Sequence, residues 1–333
     1  MQIISTVALL WLLGLTASHA QSPAEFYQGK TINIVVGFSS GGGYDLYARL
    51  LARHMPQYIP GKPIIVVQNM PGAGSLTAVR NLDQRAPQDG TVIVAFNPGL
   101  IIENLTAEKT DTSFQNLAWL GSISKDFRVC YAWNGTPVRK WEDLSTGQTF
   151  VLGGTAVGSS SYINGAMLRN LFGLNIRQVT GYPGSAEVRL AIERGELHGD
   201  CGTWSAITPE WRLQNKITGF VRFSKETTPD MPEGAKFIGD FAKTEEQIKL
   251  VDFLVSPGEL GVPYVLSKNV PSERLAVLRD AFDKTMKDPQ FVLDAQKMQF
   301  PVYPVNGKEA EQIVNRIYAY PADIVKKAAS VIK

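Results

Sequence analysis

Cysteine and histidine are scarce and the charge is nearly balanced, and each shortage removes a class of function. The only cysteines among 333 residues are Cys130 and Cys201, and no zinc-ligand spacing exists. In an oxidising compartment the two could pair; two buried free thiols are the other reading. Lys and Arg number 33 against 31 Asp and Glu, a net charge of +2 with no basic block, which argues against nucleic acid or any polyanion as partner. Residues 1–20 form a stretch that holds no Lys, Arg, Asp or Glu. Its apolar core, residues 7–15, is too short to span a bilayer. With Ser18-His19-Ala20 behind it, the stretch reads as a signal peptide cut before Gln21, although its only positive charge is the terminal amine. No cysteine follows, so a lipid anchor is not indicated, and an exported, soluble protein is expected.

Glycine, by contrast, is plentiful and placed at turns. Residues 32–36 form a short β-branched run suited to a buried parallel strand, and Gly37-Phe-Ser-Ser-Gly-Gly-Gly43 follows. A helix then opens near Tyr44 or Asp45, with its unpaired N–H groups and positive dipole end facing the turn. Such a turn is a backbone cradle for a small anion. Asp45 complements that dipole and can pair with Arg49; turn fixing is its expected role. Residues 64–68 read as a second buried strand before Pro71-Gly-Ala-Gly-Ser75, and residues 91–96 as a third before Asn97-Pro-Gly99. This rhythm predicts a parallel α/β sheet whose ligand lies beyond the carboxyl ends of the strands. The rhythm returns at Gly153-Gly-Thr-Ala-Val-Gly-Ser-Ser-Ser161 and at Gly181-Tyr-Pro-Gly-Ser185, so residues 21–333 divide into two α/β lobes with a cleft between them.

Enzymatic readings find little support. Gly37-Phe-Ser-Ser-Gly41 fits a nucleophile elbow and nominates Ser39 as an esterase serine. No strand precedes it to supply half the oxyanion hole, and beyond the signal the chain has only His54, on an apolar helix face, and His198, expected at the surface. Asp200 lacks an evident catalytic partner. Neither a dinucleotide fingerprint nor a P-loop is complete, so no nucleotide and no other cofactor is expected.

The order of these motifs resembles the periplasmic receptors of tripartite tricarboxylate transporters, the Bug or TctC-like family. Gly41-Gly42, Asp45 and Ala48-Arg49 match its opening block, and Pro71-Gly-Ala-Gly-Ser75 its second loop. Gly158-Ser159, Tyr182-Pro-Gly-Ser185, Gly195 with Asp200, Val270-Pro-Ser-Glu-Arg-Leu275 and Asp288-Pro289 follow in order over nearly the whole chain. The resemblance implies a type II periplasmic-binding-protein fold: lobe 1 at 21–123, lobe 2 at 124–222, and a return segment at 223–333 completing lobe 1. Hinges are expected near 122–128 and 221–223. It implies a monomeric, non-enzymatic periplasmic receptor that closes on a small organic acid and delivers it to membrane transporter subunits; a sensor presenting its ligand to a membrane kinase is the alternative. Carried over by position, first-lobe contacts are Ser39, Ser40, Gly42, Ala73, Gly74 and Asn97. Second-lobe contacts are Thr155, Ser159, Ser160, Tyr182 and Asp200, with no arginine clamp required. Tyr44 replaces a small hydroxyl residue and joins the candidates, and Tyr162 stands where a histidine is common. If Phe38, Tyr44, Phe96 and Trp204 face the ligand, an aromatic acid fits; packing in the lobe cores is the competing reading.

Overall fold

A computed structural model describes residues 21–108, 110 and 112–333. The signal-peptide reading of residues 1–20 lies outside the described residues.

Two mixed six-stranded sheets organise the chain. The strands are β1 (Thr31–Val36), β2 (Ile64–Asn69), β3 (Val92–Ala95), β4 (Leu117–Ser122), β5 (Arg128–Trp133) and β6 (Phe150–Gly153). They continue with β7 (Ile176–Val179), β8 (Gly199–Thr203), β9 (Ile217–Arg222), β10 (Lys236–Phe237), β11 (Pro263–Ser267) and β12 (Val305–Asn306). The first sheet runs β12-β4-β11-β3-β1-β2 and the second β10-β9-β5-β8-β6-β7. In each, a parallel trio (β3-β1-β2 and β8-β6-β7) adjoins an antiparallel strand, β11 or β5.

Sequence pattern explains the placement of β1. Ile32, Ile34, Val35 and Val36 are all buried, as a central parallel strand covered by helices requires. The equivalent expectation for β2 fails. This strand is the sheet edge, and Ile64 and Val66 are 67 % and 40 % exposed. An apolar run alone cannot distinguish a central strand from an edge whose outer side has no neighbour.

The helix Gly43–His54 seats Tyr47, Ala48, Leu50 and Leu51 in the core of the first lobe. Burying each such leucine contributes about 1.5–3 kcal/mol. Its first turn is fixed by Asp45, which accepts from the Gly41 amide at 2.9 Å, Asn69 at 2.9 Å and both Nε and Nη2 of Arg49 at 2.9 Å. Burial opposes ionisation of Asp45, yet these donors hold its carboxyl below the usual range.

The chain crosses between sheets twice, through residues 123–127 after β4 and again between β10 and β11. Because β10 pairs with β9, the chain stays in the second sheet as far as Phe237, past the expected return at 223. The two crossings are bonded to each other: the Ile123 amide donates to the Val262 carbonyl at 3.2 Å, the Val262 amide to Ser124 at 3.2 Å, and the Asp126 amide to Gly258 at 2.7 Å. They form a paired connection between the two sheets. Beyond it, helices Ser272–Met286 and Gly307–Tyr318 pack on β4, and helix Ala322–Val331 packs on helices Glu245–Val255 and Gly99–Thr106. Among the described residues no helix is long and apolar enough to cross a membrane.

Candidate functional site

The carboxyl ends of β1, β3, β6 and β8 meet between the lobes and enclose a cavity of about 70 Å³. The glycine turns deliver what only small residues permit. A Cβ on Gly37 would lie 2.1 Å from that of Ser75, so this turn can seat against the second loop only as glycine. Gly42 and Gly43 bring the helix start to the cavity wall, where Cβ atoms would stand 3.1 Å from Ser185 Oγ and from the Ala206 methyl of the facing lobe.

The lobes are in direct contact. Ser39 donates from its amide to the Pro183 carbonyl at 3.2 Å and from Oγ to Glu187 Oε2 at 2.8 Å. Asn97 Oδ1 accepts from the Ser160 amide at 3.0 Å and from Ser160 Oγ at 2.6 Å across the cleft. The same oxygen caps helix Gly99–Thr106 through the Gly99 amide at 2.8 Å. Closure therefore uses the groups at the cleft mouth for lobe-to-lobe bonds.

Of the residues nominated from sequence, Gly42, Tyr44, Asn97, Thr155 and Asp200 line the cavity. The rest have other surroundings. Ser39 and Ser160 hold the lobes together, and Ser40 donates to Asp45 at 3.3 Å. Ala73 is exposed, while Gly74 abuts Ala156 and Ser159 of the opposite lobe. Ser159 caps its helix, with Oγ donating to Ala156 at 2.8 Å and accepting from the Tyr162 amide. Tyr182 is half-buried outside the cavity lining. Cys130 and Cys201 face each other on β5 and β8 and are joined as a disulfide.

Two arginines enter the site without a motif to announce them. Arg128 opens β5 and lies buried against Asp126, to which its Nε donates. Arg189 reaches in from helix Ser185–Glu193, with Nη1 donating to the Ala206 carbonyl at 2.8 Å. Both line the cavity, although the family resemblance required no arginine clamp. Tyr47, Tyr131 and Ser205 also line it and were likewise not marked by sequence. Side-chain alternation along β5 places Arg128 and Cys130 on one face of its backbone and Tyr131 on the other, but which residues reach the cleft depends on how the lobes meet.

Three polar atoms of the lining are buried without a hydrogen-bond partner in the protein: Tyr44 Oη, Thr155 Oγ1 and Asp200 Oδ1. Such groups are costly unless a bound molecule satisfies them. Burial pushes Asp200 up to about 6, against the opposing pull of Arg128 and the Cys201 amide. Burial, reinforced by Asp126, likewise raises the Tyr44 phenol. The aromatic rings divide between the two readings. Phe38 stacks on Tyr44 at 4.9 Å in the wall, whereas Phe96 packs on Phe114 and Trp119 in the core. Trp204 turns its indole N–H to Asp230 at 3.1 Å.

The geometry does not assemble an esterase. Ser39 faces Glu187, His54 Nε2 lies 3.2 Å from Asp294, and His198 Nδ1 accepts from the Val151 amide at 3.2 Å, half-buried where a surface position was expected. Among the described residues no cluster of His, Cys, Asp and Glu could hold a metal ion.

Comparison with known proteins accords with this architecture. No family model matches the chain. A UPF0065 protein of Bordetella pertussis is 25% identical over 199 residues, covering 58% of this chain and 59% of that protein, less than two thirds of its length. The solved periplasmic binding protein BugD has a TM-score of 0.75 at 20% identity, covering 91% of this chain and 98% of that one. MatC from Rhodopseudomonas palustris, solved with bound malate, has a TM-score of 0.71 at 16% identity, covering 91% and 99%. At such identities the likeness is one of fold: the chain has the two-lobed α/β fold of the Bug- and TctC-type periplasmic binding proteins.

Proposed function

We propose that this chain is a periplasmic solute-binding receptor that captures a small organic carboxylate by closing its lobes and hands it to a tripartite-type membrane transporter. One observation carries the reading. The cavity between the lobes is lined by backbone turns, two guanidinium groups and two hydroxyls without partners, an array of donors that complements a carboxylate. The malate bound in MatC, a protein of the same fold, supports it. On this reading the protein is a monomer, uses no cofactor and performs no chemistry on its ligand.

Delivery requires that the bound form differ from the free form, and the paired connection between the sheets supplies the motion as its hinge. Bonds at Ser39 and Asn97 join the lobes across the cleft, and a ligand touching both lobes can shift the balance by its differential contacts. A thermal-shift screen of the protein beginning at Gln21 tests the reading, using aliphatic and aromatic mono-, di- and tricarboxylates with their amides. A ligand confined to the folded state raises the melting temperature by mass action. The expected result is a shift with one class of acid. Shifts with neutral amides alone would overturn the carboxylate assignment.

A further inference from the structure

Asp200 does not belong in a simple anion cradle. It reaches into the cavity from β8, and its Oδ1 is buried with no partner in the protein. The groups facing it are Arg128 and Tyr131 from β5, Arg189 from helix Ser185–Glu193 and, beside Arg128, Tyr44 from the first lobe. The other neighbours of β8, strand β6 and helix Ser160–Ala166, contain only Tyr162 as a titratable side chain. Arg128 is already neutralised by Asp126.

Charge counting then constrains the ligand. Two guanidinium groups face two carboxylates, so the site is neutral when Asp126 and Asp200 are both ionised. A carboxylate entering that neutral, enclosed space would bring a buried charge without compensation and place it against a second carboxylate. A proton on Asp200 removes both problems. The surroundings become positive by one, and a group that could only accept a hydrogen bond can now donate one. A monoanion balances that charge, whereas a dianion exceeds it. Phe38, Val188, Ile207 and Val262 make the remaining wall apolar, as a short hydrocarbon tail requires.

Building on the carboxylate reading above, we propose that the cleft takes small monocarboxylates and that Asp200 holds them as a protonated carboxyl, donating a hydrogen bond to the bound carboxylate. Capture is therefore coupled to uptake of one proton. Burial already moves Asp200 toward the protonated form, up to about 6 before any ligand enters.

Isothermal titration calorimetry of the protein beginning at Gln21 tests this with pyruvate and benzoate against malate and succinate, from about pH 6 to about pH 8. The expected result is tighter binding of the monocarboxylates, with Kd rising about fiftyfold over that range for a group titrating near 6. At about pH 7.5, titrations in buffers of different ionisation enthalpy should report close to one proton taken up per ligand. Asp200→Asn, whose amide donates at every pH, should flatten the profile and abolish proton uptake; the wild-type proton count decides the matter even if that variant folds poorly. Monocarboxylate binding that is flat with pH and takes up no proton overturns the inference, as does a preference for the dianions. Failure of every carboxylate across the range overturns the carboxylate reading itself, and this inference with it.

Discussion

Removing the Arg128 guanidinium should unbalance the connection between the sheets in a way that pH can reverse. Its side chain is 8% exposed and that of its partner Asp126 is 1% exposed. Apart from Arg128, Asp126 keeps a hydrogen bond from Thr203 Oγ1 at 2.9 Å. Arg128→Met preserves much of the volume but leaves that carboxylate desolvated, at a cost of about 3–5 kcal/mol near neutral pH. The pH dependence follows from linkage. Burial raises the pKa of Asp126 and Arg128 opposes the rise, so without the arginine the folded-state value moves further above the unfolded one. Between those two values the folded state binds more protons, and stability falls as pH rises through the window. Urea denaturation of Arg128→Met should therefore show its largest deficit near neutrality and recover on acidification toward the ordinary carboxylate range. Adding Asp126→Asn should restore most of the loss at neutral pH, because the orphaned charge is gone. A deficit below about 1 kcal/mol that does not vary with pH, typical of an exposed pair, would refute the claim that this pair is desolvated.

Three further perturbations address closure, the cross-link and the lining. Gly99→Ala places a Cβ 2.6 Å from the Ser160 amide nitrogen of the opposite lobe, so it should keep the fold but hold the lobes apart; small-angle scattering should show an expanded particle and calorimetry a loss of affinity, while wild-type affinity would contradict the closed geometry. Denatured, unreduced protein should yield no free thiol with Ellman's reagent, and replacing Cys130 and Cys201 with alanine should cost about 4 kcal/mol by loop entropy for a separation of 71 residues. Two titratable thiols in the unreduced protein would count against the pairing. Tyr44→Phe deletes a buried hydroxyl that has no partner, so the ligand-free protein should gain about 1 kcal/mol while carboxylate affinity falls. Lower stability with unaltered affinity would show that the hydroxyl serves the fold and not the ligand.

The fold was legible because its signals are local. A β-branched run, a glycine turn and a helix start follow one another within a few residues at Thr31–Val36 and Gly43–His54, and the rhythm recurs in the second lobe. The bond from Asp45 to Arg49, one helical turn apart, was legible for the same reason. The placement of β2 at an edge was not, since nothing within Ile64–Asn69 records how many strands will flank it. Motif matching found the glycine turns of the site but not what closure does to their side chains.

The sequence by itself determined two α/β lobes and glycine turns at the strand ends, because φ freedom, helix starts and strand periodicity are written into adjacent residues. Only the tertiary structure decided which side chains meet. Ser39 found Glu187 and Asn97 found Ser160 across the cleft, so they became bonds between lobes. Arg128, Arg189 and Asp200 converged from one strand, a helix and a second strand. Their chemistry depends on burial and on one another's charge, and both arise only when residues far apart in the chain are packed together and water is excluded.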